Sequence, residues 1–254
     1  MAMVMEDETA DSLFDKRLRI IQDRFGYRFS VDSVLLAYFA RVKRQDQIVD
    51  LGTGNGIIAL LLSKVYRESM VLAVEIQPRL ADQALRNSII NGVDQRMKVM
   101  HEDLQNLPQL FSPGSFDVVI SNPPYQAMNS GRINPNPCRA KARHEIFTPL
   151  EAFISVAGYL LKNGGRAYFV LPSFRLAELI PCLKRHSLEP KTLQLLYPYL
   201  QAESRHFLIE AYKRGQTGLR ILPPLVLYQE KGIPSGAMNT IYHEFQRKVR
   251  SGGA

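Results

Sequence analysis

Asp50-Leu51-Gly52-Thr53-Gly54-Asn55-Gly56 decides the fold. It follows the short apolar run Ile48–Leu51 and leads into the apolar stretch Ile57–Tyr66, so a strand passes into a helix through three glycines. Glycines there let the backbone approach a ligand closely, and the helix start offers unbonded N–H groups and the positive end of a dipole. Residues 54–59 satisfy the loose G-x-G-x-x-A dinucleotide pattern, yet an acid directly before the turn repels a pyrophosphate. Asp50 suits a cationic amine instead, held directly or through water. Glu75 ends the next predicted strand, 19 residues past Gly56, where a carboxylate accepts from both ribose hydroxyls. A ribose with an amino-acid ammonium and carboxylate, and no pyrophosphate, describes S-adenosylmethionine. The competing reading is a tight strand–helix turn without a ligand.

Outward from this turn the pattern alternates. Val71–Glu75, Met97–Met100 and Phe116–Ser121 read as strands. Pro78 opens a helix at a first-turn position, and Gly92 closes it. Beyond a polar, Pro-rich stretch at 126–145, Leu150–Leu161 reads as a helix and Arg166–Leu171 as a strand, followed by a helix Phe174–Arg185. Thr192–Tyr197 and Phe207–Tyr212 read as closing strands, with a further extended segment at Leu219–Tyr228. Such alternation predicts an α/β fold, Rossmann-like, with a mostly parallel seven-stranded sheet and helices on both faces. Residues 1–12 read as a frayed acidic tail. Residues 13–46 form an extension, pairing Arg17–Gln22 with Tyr27–Phe29 and adding a helix Val34–Val42 capped by Asp32 or Ser33. The main domain covers 47–232, and 233–254 is a basic tail.

The second motif is Asn122-Pro123-Pro124-Tyr125, directly after the fourth strand of the alternation. Asn-Pro and Pro-Pro are also plain turn signals. Their position carries the functional reading: ligands of open α/β sheets bind at the carboxyl ends of the strands, which puts Asn122 beside the cofactor. Asn-Pro-Pro-Tyr after such a strand resembles the amino-methyltransferase signature, which implies a substrate NH₂ conjugated to a ring or carbonyl and therefore a poor nucleophile. The Asn122 side-chain oxygen and the Pro123 carbonyl each accept one of its N–H bonds, favouring a pyramidal nitrogen with an available lone pair. The prolines stiffen the loop, and Tyr125 gives an extruded base an aromatic face.

Composition narrows the partners. The chain has 254 residues, 46% of them apolar and 22% charged, ordinary globular values. No apolar run reaches the roughly 20 residues of a bilayer span, and the acidic N-terminus is no signal or transit peptide. Two cysteines, Cys138 and Cys182, build no disulfide framework. No Cys/His cluster has ligand spacing, so no metal is expected. Residues 1–15 carry −5 and the remainder +13, a balance that suits a polyanion such as nucleic acid. Arg132, Arg139, Lys141, Arg143 and His144 lie in the long loop and suit backbone phosphates; the stretch 213–254 adds a net +5.

With both motifs placed, roughly residues 15–230 resemble the bacterial family that makes N6-methyladenine at position 37 of a valine tRNA. The resemblance rests on Phe29-Ser30-Val31-Asp32-Ser33-Val34-Leu35-Leu36, the Gly-rich turn, Asn122–Tyr125 and Ala142-Arg143-His144-Glu145. It implies a cytosolic class I methyltransferase fold with S-adenosylmethionine as cofactor and a tRNA as substrate. Asn122, Pro123 and Tyr125 are then catalytic. Phe29, Asp32, Asp50, Gly52, Thr53, Gly54, Gly56, Glu75, Asp103 and Asn122 are the cofactor contacts, Phe29 and Asp32 closing over the methionine end and Asp103 meeting the adenine amine. For Asp103 a helix-capping role is compatible with that contact. The extra length at 128–139 and the tail 233–254 have no counterpart in the resemblance. Glutamine methyltransferases of release factors also use Asn-Pro-Pro-Tyr, on a conjugated amide, but carry a helical domain before the fold. Adenine in ribosomal RNA or DNA is a further substrate class, and an RNA-binding module with a relic turn is the non-enzyme reading.

Overall fold

Glu8–Leu13 (β1) and Leu18–Asp23 (β2) form an antiparallel hairpin through Phe14-Asp15-Lys16, three residues in the left-handed region (φ 50, 53 and 63°). This computed structural model describes residues 4–124 and 148–251. Val31–Phe39 (α1) leads to Gln47–Leu51 (β3), Ile57–Val65 (α2), Met70–Glu75 (β4), Pro78–Ile90 (α3) and Met97–His101 (β5). Leu107–Leu110 (α4), Phe116–Ser121 (β6), Leu150–Leu160 (α5), Leu161–Pro172 (β7), Leu176–Arg185 (α6), Leu188–Tyr197 (β8) and His206–Lys213 (β9) follow. Arg220–Ile221 (β10), Leu225–Val226 (β11), the small pair Tyr228–Glu230 (β12) and Ile233–Pro234 (β13), and Gly236–Ser251 (α7) end the described chain.

The main sheet runs β10-β8-β9-β7-β6-β3-β4-β5. Only β9 is antiparallel to its neighbours. The seven expected strands are present, and β10 and β11, both paired with β8, raise the sheet to nine. Pro223-Pro224 breaks the run 219–228 into these two short bridges, since proline removes a ladder donor.

The central strands are buried on both faces, as parallel strands between helix layers must be. Alternation then divides the core. Ile48, Val118 and Ile120 pack with α1, α2 and α7, whereas Val49, Leu51 and Val119 pack with α5 and α6.

Both termini correct the sequence reading. Residues 8–12 are strand, not tail, and β2 pairs with β1 rather than with Tyr27–Phe29. The acids that make this segment look solvated have partners some seventy residues away. Glu8 takes both Arg86 terminal nitrogens at 2.7 Å and Gln83 at 3.0 Å, and Arg79 bridges Asp7 at 2.6 Å and Asp23 at 2.7 Å. Asn87 clamps the hairpin by accepting from the Ile21 N–H at 2.6 Å and donating to Ile21 O and Asn55 O, each at 2.9 Å. At the other end, residues 236–251 are helix. Phe245 and Val249 are buried, with Met238 and Ile241 packed on the same core, and the Phe245 ring meets Phe14 and Tyr38 edge-on. Dense charge masks that apolar stripe in the sequence. The first helix starts at Val31, with Ser30 at its cap position, not at Val34.

Arg86→Ala leaves the Glu8 carboxylate buried without its cation, so about 3 kcal/mol of stability should vanish in denaturant unfolding. The Arg86 hydrogen bonds are the main cause that pulls the Glu8 carboxyl from its usual 4.5 down to about 2. A lowered pKa gives stability that is present above pH 4.5 and lost as pH falls toward 2. The variant should therefore show a flatter acid limb than the wild type; equal limbs would place the acid sensitivity elsewhere.

Candidate active site

The chain leaves β3 toward β4 and β5 on one side and returns as β6 on the other. At such a reversal the loops after β3 and β6 diverge and leave a crevice. Ser121 ties the two strand ends together, its hydroxyl donating to Leu51 O at 2.7 Å. The Gly-rich turn rises from β3. The Thr53 N–H donates to Val74 O at 2.9 Å and its hydroxyl to Asp50 Oδ2 at 2.5 Å. Glu75, at the end of β4, receives the Gly54 N–H on one carboxylate oxygen and the Gln77 N–H on the other, both at 2.9 Å. These bonds hold the carboxylate rigid at the cleft wall. Burial pushes the Glu75 carboxyl above its ordinary range, against the pull of these backbone N–H groups.

A cleft open to solvent lies over this edge. Gly52, Gly54, Glu75, Asp103 and Asn122 line it together. Tyr27 lines it too, with its hydroxyl 2.9 Å from where a Gly54 Cβ would stand. Gly54 has φ +61°, so a side chain there would be strained and would strike that ring. Desolvation of its hydroxyl end against the turn, then the charges of Asp50 and Glu75, push the Tyr27 phenol up to about 12, although 40% of the residue is exposed. It stays a neutral O–H beside two acids. Asp103 caps the turn Leu104–Asn106, accepting the Gln105 N–H at 2.9 Å, and also faces the cleft. Asn122 donates from Nδ2 to the Ser33 hydroxyl at 3.0 Å, which holds the side chain at the cleft edge.

Other expected contacts lie deeper. Asp50 is 0% exposed and sits beneath the turn rather than in the cleft wall. Burial is the main cause that raises its carboxyl to about 7; the Thr53 hydroxyl and the Ala59 N–H oppose this. Its Oδ1 has no partner among the described residues. Thr53 is buried as well. Gly56 is a packing position: a Cβ there would stand 2.8 Å from Met97 and 2.9 Å from Ala84. Phe29 packs against the core, and Asp32 accepts from the Ser30 hydroxyl at 2.9 Å, with His206 at 3.8 Å. None of these five lines the cleft. Tyr125, Arg132, Arg139, Lys141, Arg143 and His144 lie outside the described residues; Pro123 lies within them.

Sequence reasoning missed Tyr27, Gln77, Phe153 and Thr148 in the cleft wall, and Ser33 as the partner of Asn122. Ser33 was legible only as a helix cap.

Does this set fit S-adenosylmethionine? A rigid carboxylate stands where a ribose belongs, and two glycines leave room against the turn. Asp50 Oδ1 is an acceptor that lacks a donor, the need an amino-acid ammonium or its bridging water meets. The set fits.

Strand order and site together define a class I methyltransferase. A family model described as the methyltransferase small domain matches residues 29–187. The curated tRNA1(Val) (adenine(37)-N6)-methyltransferase of Aliivibrio salmonicida is 30% identical over 73% of this chain and 77% of its own length. That of Pedobacter heparinus is 31% identical over 68% and 72%. Among solved structures, a predicted O-methyltransferase of Agrobacterium tumefaciens covers 88% of this chain and 97% of its own, at TM-score 0.67 and 20% identity. The chain belongs to the methyltransferase small-domain family, S-adenosylmethionine-dependent enzymes, and within it to the family of the tRNA1(Val) (adenine(37)-N6)-methyltransferases.

Proposed function

We propose that this protein methylates N6 of adenine 37 in a valine tRNA, in the cytosol and without a metal. The observation that carries the reading is Asn122, its amide oriented by Ser33, at the strand reversal opposite the Gly-rich turn and Glu75. When bound, S-adenosylmethionine supplies a methyl group on a sulfonium that needs no further activation. This chain's part is to position and to exclude water. Asn122 and the Pro123 carbonyl accept the target N–H bonds, Glu75 accepts from the ribose, and Asp50 answers the ammonium. After transfer the methylated nitrogen is cationic and strongly acidic, and its surplus proton passes to solvent through the open cleft, so no dedicated base is needed there.

The reading calls for no Lewis acid. Among the described residues one group has metal-ligand chemistry, Glu151, Cys182 and His186, and none of the three lines the cleft. Arg185 already pairs with Glu151 at 3.0 Å. The release-factor alternative has no observation in its favour, and the +13 of the chain beyond residue 15 favours a polyanion. No helix among the described residues is long and apolar enough to cross a membrane.

Mass spectrometry of digested tRNA, rRNA and release factors from cells lacking the protein tests the assignment. Loss of N6-methyladenine from the valine tRNA is expected; loss of methylglutamine instead would reject it. A second measurement isolates Glu75. Glu75→Ala should weaken cofactor binding by one to two decades, about 1.4–2.7 kcal/mol. Unchanged affinity in calorimetry would remove the carboxylate from the ribose.

A further inference from the structure

Two large apolar side chains stand in solvent on linked loops that leave the carboxyl ends of β7 and β8, the sheet edge that also carries the cleft. Phe174, in the turn Ser173–Arg175 after β7, is 71% exposed, and Leu200, in the connection from β8 to β9, is 74% exposed. A scattered exposed apolar residue needs no explanation, but two on loops bonded to each other at one sheet edge call for one. The Ser173 N–H donates to Arg205 O at 2.9 Å, and the Ser173 and Ser204 hydroxyls share a hydrogen bond of 2.8 Å. The same loops lead to the reaction centre. His206, the first residue of β9, lies 3.8 Å from Asp32, and the next residue of α1, Ser33, holds Asn122. These links connect the two loops to the amide that meets the target amine.

We propose that Phe174 and Leu200 form a shelf on which nucleotides flanking the target adenine stack while that base is extruded. This inference rests on the adenine reading above. Extrusion deprives the neighbours of a stacking partner, and a flat ring beside the site replaces it in a sequence-tolerant way. The occupant is a single-stranded RNA loop, because both loops leave the sheet edge at which the target base is methylated and the chain beyond residue 15 carries +13. Locally the shelf attracts faces rather than phosphates: exposed Arg205 and exposed Glu203 offset each other on the same connection. A peptide would use the patch as a plain apolar contact and would not distinguish an aromatic from an aliphatic residue.

Steady-state methylation of full-length valine tRNA by the full chain tests this, with Phe174→Ala, Leu200→Ala, their combination and Phe174→Tyr. Calorimetry with S-adenosylmethionine runs beside it. Stacking at the usual strength predicts a roughly tenfold higher KM for tRNA in Phe174→Ala, more in the double variant, with kcat within about twofold. Phe174→Tyr should restore KM, and cofactor affinity should not change. No counterions are released by stacking, so log KM against log salt should keep the wild-type slope in every variant. An anticodon stem-loop carrying 2-aminopurine next to the target adenine should be quenched by the wild type and less so by Phe174→Ala.

A double variant with wild-type KM on a tRNA that the wild type methylates overturns the shelf alone. So does a KM rise that comes with weakened cofactor binding, which would mark a structural role. A wild type that transfers no methyl to tRNA overturns the shelf and the adenine reading together.

Discussion

Asn122→Ala binds S-adenosylmethionine with wild-type affinity and loses at least a hundredfold in kcat, roughly 2.7 kcal/mol of barrier. The expectation follows from where the side chain sits. Asn122 projects from the end of β6, across the cleft from Glu75 and the turn that serve the cofactor. The amine's lone pair is conjugated in the ground state and is freed only as the nitrogen pyramidalises. An acceptor aimed at its N–H bonds therefore strengthens toward the transition state, and such an interaction appears in kcat rather than in binding. Ser33→Ala offers an internal control. It removes the hydroxyl that receives Asn122 Nδ2 but leaves the amide in place, so kcat should fall less than in Asn122→Ala. Stopped-flow or quench measurement of single turnovers separates this from product release. Retention of more than a tenth of kcat in Asn122→Ala would end its role in the chemistry.

The pieces legible in the sequence are those governed by local rules. Glycine at a strand–helix turn, proline opening α3, and apolar runs too short for anything but buried strands all act within a few residues. These gave the strand order's raw material and both motifs. The misreadings share one physical cause: pairing over long sequence separations. Glu8 and Arg86, or Phe14 and Phe245, are unremarkable locally and decisive once folded. Charge misled at both ends, because an acidic strand satisfied by α3 and a basic helix with a narrow apolar stripe both look solvated. Within the site the limit is of another kind. Motif membership says nothing of depth: burial puts Asp50, Thr53 and Gly56 beneath the turn, where Thr53 and Gly56 hold its shape and Asp50 keeps one oxygen without a donor among the described residues. Tyr27 carries no motif at all; it reaches the cleft only because the hairpin docks on α3.

Asp50→Asn should improve the apoprotein and damage the enzyme. Burial holds the Asp50 carboxyl near 7 in the folded chain, far above its ordinary 3.8. A raised pKa means that the folded state keeps the proton longer than the unfolded state does. The stability tied to that proton is full below pH 3.8 and is lost as pH rises through about 7. At pH 8 the wild type therefore carries an ionised, buried carboxylate with one oxygen lacking a donor among the described residues. The amide of Asn carries no charge to desolvate. Without cofactor, Asp50→Asn should accordingly equal the wild type near pH 5 and exceed it at pH 8 in chemical unfolding. Cofactor binding should show the opposite order. The ammonium of S-adenosylmethionine favours the ionised acid, so wild-type affinity should rise between pH 6 and 8 while that of Asp50→Asn stays flat and at least tenfold weaker at pH 8, about 1.4 kcal/mol. The two experiments together discriminate. A variant that is less stable than the wild type at pH 8 and binds the cofactor normally would make Asp50 a strut for Thr53 and nothing more. A variant that is more stable yet binds poorly would show a charge kept under the turn at the apoprotein's expense, for the ligand it awaits.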